Sequence, residues 1–164
     1  MSLNALSSVW SWKGHSCIAL AARLYLGWLF VTASLHKIVH PDAFALDVAT
    51  YQFLPLYTVN LFALVVPWLE LVIGVLVAVG YRVRAAALLI VLLMLSFIVA
   101  LIWALHLGLD MSCGCFASQA AASDDAISWR TLARALSWLA LGLYVLGFDR
   151  NPLGIERMMK RKVA

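Results

Sequence analysis

An all-α integral membrane protein, a four-helix bundle with a short interfacial helix between its first and second spans, is the fold this sequence predicts. Three observations carry that expectation. Of the 164 residues, 65% are hydrophobic and 12% charged, about half the charged fraction of an ordinary soluble domain, and the mean hydropathy is +0.95. Apolar runs recur at about 16–36, 56–80, 85–109 and 127–147, each near the roughly 20 residues that cross a bilayer as a helix. The basic residues gather at the ends of those runs and in the tail. A net charge of +4 distributed in this way suits anionic lipid headgroups and no nucleic acid. One bundle fits the length, so residues 1–164 are expected to form a single transmembrane domain with a basic tail over 148–164.

The first run contains Arg23, which argues for a retained span over a cleavable signal peptide. After it come His40-Pro41-Asp42, the stretch 43–54 and Pro55, a pattern suited to a short surface helix stopped by proline. Phe44, Leu46, Val48, Tyr51 and Phe53 would give that helix an apolar side. The second run carries Pro67 and Glu70, and the third, from 85 to 109, holds no formally charged side chain. The fourth begins near Trp129 and includes Arg130 and Arg134. Interfacial aromatics such as Trp10, Tyr57, Trp103 and Tyr144 fall near span ends.

Lys13, Arg82, Arg84 and the basic residues of the tail lie on one side of the four spans, whereas the other side receives Lys37 and the acidic Asp110, Asp124 and Asp125. By the positive-inside rule both termini are cytoplasmic in a bacterial inner membrane, and the loop between the third and fourth spans is periplasmic. That loop holds Cys113-Gly114-Cys115-Phe116, in a compartment where disulfides persist. Two cysteines one residue apart close only a small, tight ring, helped by the backbone freedom of Gly114, and a strained disulfide is reducible. A reversible dithiol–disulfide pair, inert oxidised cysteines and a soft-metal site such as one for Cu(I) all fit these residues. There is no zinc-ligand spacing, and no metal is assigned. Cys17, near the opposite end of the first span, reads as a buried small hydrophobe. A transmembrane electron carrier would want a second reactive cysteine pair, which the chain lacks.

Exchange requires thiolate, which His36, Lys37 and His106 would favour from neighbouring span ends and Asp110 would oppose. Within the bilayer, Arg23 and Glu70 lie about 10 Å and about 15 Å from the cytoplasmic ends of their spans at about 1.5 Å per residue, so they are expected to pair, with Arg134 as a competitor for Glu70. The cluster is either a proton or quinone site or a structural lock between helices. Pro67 frees a backbone carbonyl three residues before the acid, which favours a cavity.

The ordered set Arg23-Leu24-Tyr25-Leu26-Gly27, Leu35-His36-Lys37-Ile38 with Pro41 and Phe44, Leu54-Pro55, Pro67-Trp68-Leu69-Glu70, Gly74 and Cys113-Gly114-Cys115-Phe116 resembles the MauE branch of the DoxX-like membrane proteins over about residues 20–147. The resemblance implies a four-helix membrane protein associated with methylamine utilisation and periplasmic thiol–disulfide chemistry, beside a thioredoxin-like partner. Gly114, Pro67 and Trp68 take structural roles in this pattern. Ala117 stands where family members commonly have glycine, which alters the bend of the loop. The expected function is a membrane thiol–disulfide redox component for maturation of periplasmic proteins, with Cys113 and Cys115 exchanging; an oxidase would pass its electrons to a quinone or another carrier. A transporter of a soft metal or small solute and a non-catalytic assembly subunit are the alternatives.

Overall fold

The computed structural model describes residues 15–51, 55–108 and 129–149, and within them every regular element is a helix: α1 His15–Val39, α2 Pro41–Thr50, α3 Leu56–Val79, α4 Val83–His106 and α5 Trp129–Phe148. All but α2 are long and apolar enough to cross a membrane, so this is a multi-pass membrane protein whose outward surfaces meet lipid. Trp28 on α1, Leu61 on α3, Val99 on α4 and Leu143 on α5 are exposed on those surfaces, as side chains facing hydrocarbon should be.

Prolines and glycines set the boundaries. The residue before a proline is pushed out of helical geometry, and α1 accordingly stops at Val39, with His40 at φ −124°, ψ 66°. Pro41 then opens α2 at a position where its missing N–H costs nothing. The short helix therefore starts at Pro41 and not at the 43 expected from sequence, because the proline opens it instead of preceding it, and it ends at Thr50 with Tyr51 as its C-cap; residues 52–54 lie outside the described residues. Pro55 caps α3, its carbonyl accepting from the backbone N–H of Thr58 at 2.9 Å and from the Thr58 hydroxyl at 2.8 Å. Gly80, at φ +78°, ends α3 in a left-handed turn, with the N–H groups of Gly80 and Tyr81 donating to the Leu76 carbonyl at 3.1 and 3.0 Å. Arg82, also left-handed, leads directly into α4.

Successive spans run antiparallel, and α1, α3, α4 and α5 close a ring in which each packs on the next and α5 returns to α1. Phe30, Ile73, Val77, Ile90, Met94 and Trp138 bring the four together in the central core. The contact between α1 and α3 is the most extensive, and small residues permit it: a Cβ on Gly27 would lie 2.7 Å from the Ala78 Cβ and 3.0 Å from the Gly74 carbonyl oxygen. The bundle thus has a proximal end, with the start of α1, the α3–α4 turn and the end of α5, and a distal end, with α2, the end of α4 and the start of α5. Phe44 and Val48 of α2 pack against Val59 and Ala63 of α3 at the distal end. Tyr51 is also buried, whereas Leu46 faces outward. Phe53 lies outside the described residues.

Candidate functional site

One inward stripe of α1 carries residues at positions 23, 27, 30, 34 and 37, the alternating four- and three-residue spacing that keeps one helix face on its neighbours. All of them are buried, including the charged Arg23 and Lys37 at either end of the stripe, about 21 Å apart at about 1.5 Å per residue. Each has an acidic partner from elsewhere in the bundle, Glu70 on α3 for Lys37 and Asp149 just after α5 for Arg23.

At the far end of this stripe Lys37 Nζ donates to both oxygens of Glu70 in the interior of α3, at 2.8 Å to Oε1 and 2.6 Å to Oε2, with side-chain exposures of 3% and 9%. The ammonium also lies 5.0 Å from the centroid of the Phe44 ring, so a face of α2 covers it and adds a cation–π attraction. Lys37 stands in the last turn of α1, where the helix dipole favours a cation. At the proximal end Arg23 Nη1 lies 3.4 Å from Asp149 Oδ2, with side-chain exposures of 2% and 0%. Asp149 immediately follows α5, a place where the dipole disfavours an anion, and the guanidinium compensates.

This geometry corrects the expected Arg23–Glu70 pair. Arg23 is bound to Asp149 and Glu70 to Lys37. Depth along the spans matches Arg23 to Glu70, whereas Lys37 and Asp149 lie just past the expected ends of theirs, at 36 and 147. Lysine has a stem long enough to carry its charge inward as well as outward, and α1 continues to Val39. The spacing of 23, 30 and 37 by sevens was the signal that placed both cations on one buried face.

The other candidates separate. Arg134 is exposed on the outward side of α5 and does not compete for Glu70. Pro67 is buried beside the acid's stretch of α3, while Trp68 is 54% exposed and faces the lipid side. Cys17 is exposed, not the buried hydrophobe expected, and it sits at the proximal end. His36 and His106 are both exposed at the distal end; the His36 ring lies 5.4 Å from that of His40. Asp47 on α2 is held above the usual carboxylate range by burial, with the charge of His36 acting in the opposite direction. Cys113, Gly114 and Cys115 lie outside the described residues. Their connection leaves α4 after His106 and returns at Trp129, both at the distal end. Among the described residues no group of three or more His, Cys, Asp or Glu side chains is placed to hold a metal ion.

Comparison with known proteins agrees with the residue pattern. The profile of the family described as Methylamine utilisation protein MauE matches residues 15–148. The methylamine utilization protein MauE of Methylophilus methylotrophus is 32% identical over 144 residues, 85% of this chain and 73% of that protein. Its namesake in Paracoccus denitrificans is 32% identical over 126 residues, 76% of this chain and 66% of that protein. No solved structure matches significantly.

Proposed function

The chain belongs to the MauE family, and from that premise we propose that it is a membrane thiol–disulfide redox component of methylamine utilisation, acting on proteins outside the cytoplasm. The observation that carries the reading is the Cys113-Gly114-Cys115 sequence in the connection between two spans at the distal end. That end is the lysine- and arginine-poor one, hence periplasmic by the positive-inside rule, where thiols meet an oxidising environment.

In this reading one thiolate of the reduced pair attacks a disulfide sulfur of a thioredoxin-like periplasmic partner. The mixed disulfide is resolved by the second thiolate, leaving the pair oxidised and the partner reduced. The reverse sequence oxidises the partner, and sustained oxidation then needs an acceptor such as a quinone for two electrons and two protons. The buried ion pairs hold the spans that present the loop. Replacing Cys113 or Cys115 by serine should abolish function in a methylamine-growth assay, and one of the two variants should accumulate a mixed disulfide visible on a non-reducing gel. Full complementation by the double serine variant would defeat the redox reading and leave an assembly role.

A further inference from the structure

We propose that the bundle is a hinged pair of rigid parts, one built of α1, α2 and α3 and the other of α4 and α5, joined toward the proximal end and free to change their separation toward the distal end. The inference goes beyond the thiol reading and does not depend on it.

The placement of the packing carries the argument. The contacts between α1 and α3 and between α4 and α5 are the two most extensive in the molecule, so each part is firmly built. Toward the proximal end the parts are joined repeatedly. Ala22 and Leu26 of α1 share a cluster with Val83 and Ala87 of α4 and Val145 of α5, and the buried Arg23–Asp149 pair reaches from α1 to the residue after α5. The turn between α3 and α4, with Gly80 at φ +78° and Arg82 at φ +44°, is by chain order the single covalent crossing between the parts, since residues 52–54 connect α2 to α3 and residues 109–128 connect α4 to α5. The central cluster also holds both parts, Phe30, Ile73 and Val77 meeting Ala86, Ile90, Met94 and Trp138. Beside it the Trp138 indole donates to Tyr25 Oη at 3.4 Å. Its members on α3 and α4 all lie in the halves of those helices nearer the turn.

Farther from the turn the described packing divides. Ile98 and Leu101 of α4 pack on Leu132 and Ala135 of α5, within one part. Val59 and Ala63 of α3 pack on Phe44 and Val48 of α2, within the other. The Lys37–Glu70 pair likewise stays inside a part. Among the described residues α2 packs on α3 and α1 and has no comparable contact with α4 or α5. In a bilayer no hydrophobic force draws the outer halves of α3 and α4 together, and separately packed units joined at one end move by hinge rotation. The connection that carries Cys113 and Cys115 leaves and rejoins the α4–α5 part, whereas α2 rides on the other. A change of hinge angle therefore moves the ends of that connection relative to α2.

Pulsed electron–electron spin resonance on the full chain in lipid nanodiscs tests the proposal, with Cys17, Cys113 and Cys115 replaced by serine and two spin labels per protein on exposed positions. Three pairs span the seam between α3 and α4: Val75 with Leu88 near the turn, then Leu64 with Val99 and Leu61 with Ile102 farther out. A fourth, Val99 with Leu136, spans α4 and α5 at the outer level. The distance distribution should broaden along the first three pairs, becoming severalfold wider for Leu61 with Ile102 than for Val75 with Leu88, while Val99 with Leu136 stays narrow. Either outer pair across the seam decides the matter if the other variant fails to fold. Equal widths for all the pairs, or a Val99–Leu136 distribution as broad as the outer ones across the seam, overturns the proposal. The labelled protein lacks the thiols, so the result stands apart from the fate of the thiol reading.

Discussion

A lysine placed one turn from the end of a membrane helix ordinarily extends to the headgroups, yet Lys37 turns inward and is 3% exposed. What compensates its desolvation is the bidentate contact with Glu70 and the Phe44 ring. Removing one partner of such a pair leaves an uncompensated charge, so Glu70→Gln and Lys37→Gln should each destabilise the bundle by about 3–5 kcal/mol. The double variant should recover much of the loss in a thermal melt in detergent. A cycle between Arg23→Gln and Glu70→Gln should be additive within about 0.5 kcal/mol, because the two residues share no contact. Coupling well above that would restore the pairing expected from sequence.

At the scale of elements, the α1–α3 contact depends on backbone approach. Gly27→Ala sets a methyl 2.7 Å from another Cβ and should cost about 1–3 kcal/mol through overpacking, despite alanine's better helix propensity. Gly147 has open space where a Cβ would go, so Gly147→Ala should be neutral or stabilising by up to about 1 kcal/mol. Equal melting temperatures for the two variants would show that the close approach is unimportant. The docking of α2 carries a pH dependence of its own. Because burial raises the Asp47 carboxyl above its ordinary range, the folded state favours its protonated form. Docking is strongest below the ordinary carboxylate range and weakens as pH rises through the raised value. Asp47→Asn should flatten that dependence, measured as hydrogen exchange of the α2 amides across the acidic range.

At the scale of the whole molecule, the four spans and their alternating direction were legible in the sequence because length and hydropathy alone dictate them. The start of α2 was less legible, since Pro41 reads equally as a breaker and as a first helical residue. The charge pairing was not legible by depth counting: Glu70 could be recognised as needing a cation, but its choice of Lys37 over Arg23 follows from helix register and from the reach of a lysine stem. Asp149 was assigned to the tail, and only the return of α5 onto α1 brings it to Arg23. Topology also makes a prediction for the cysteines. After reduction, an impermeant thiol reagent on intact spheroplasts should label Cys113 or Cys115 and spare Cys17; labelling only after permeabilisation would reverse the orientation.

The redox state of the Cys113–Cys115 pair in defined thiol–disulfide buffers, measured by gel-shift alkylation of the purified Cys17→Ser protein, tests the redox role most directly. The pair should titrate as one two-electron couple, both thiols disappearing together at a single potential. Thiols that remain independently alkylatable throughout the buffer series would contradict the account.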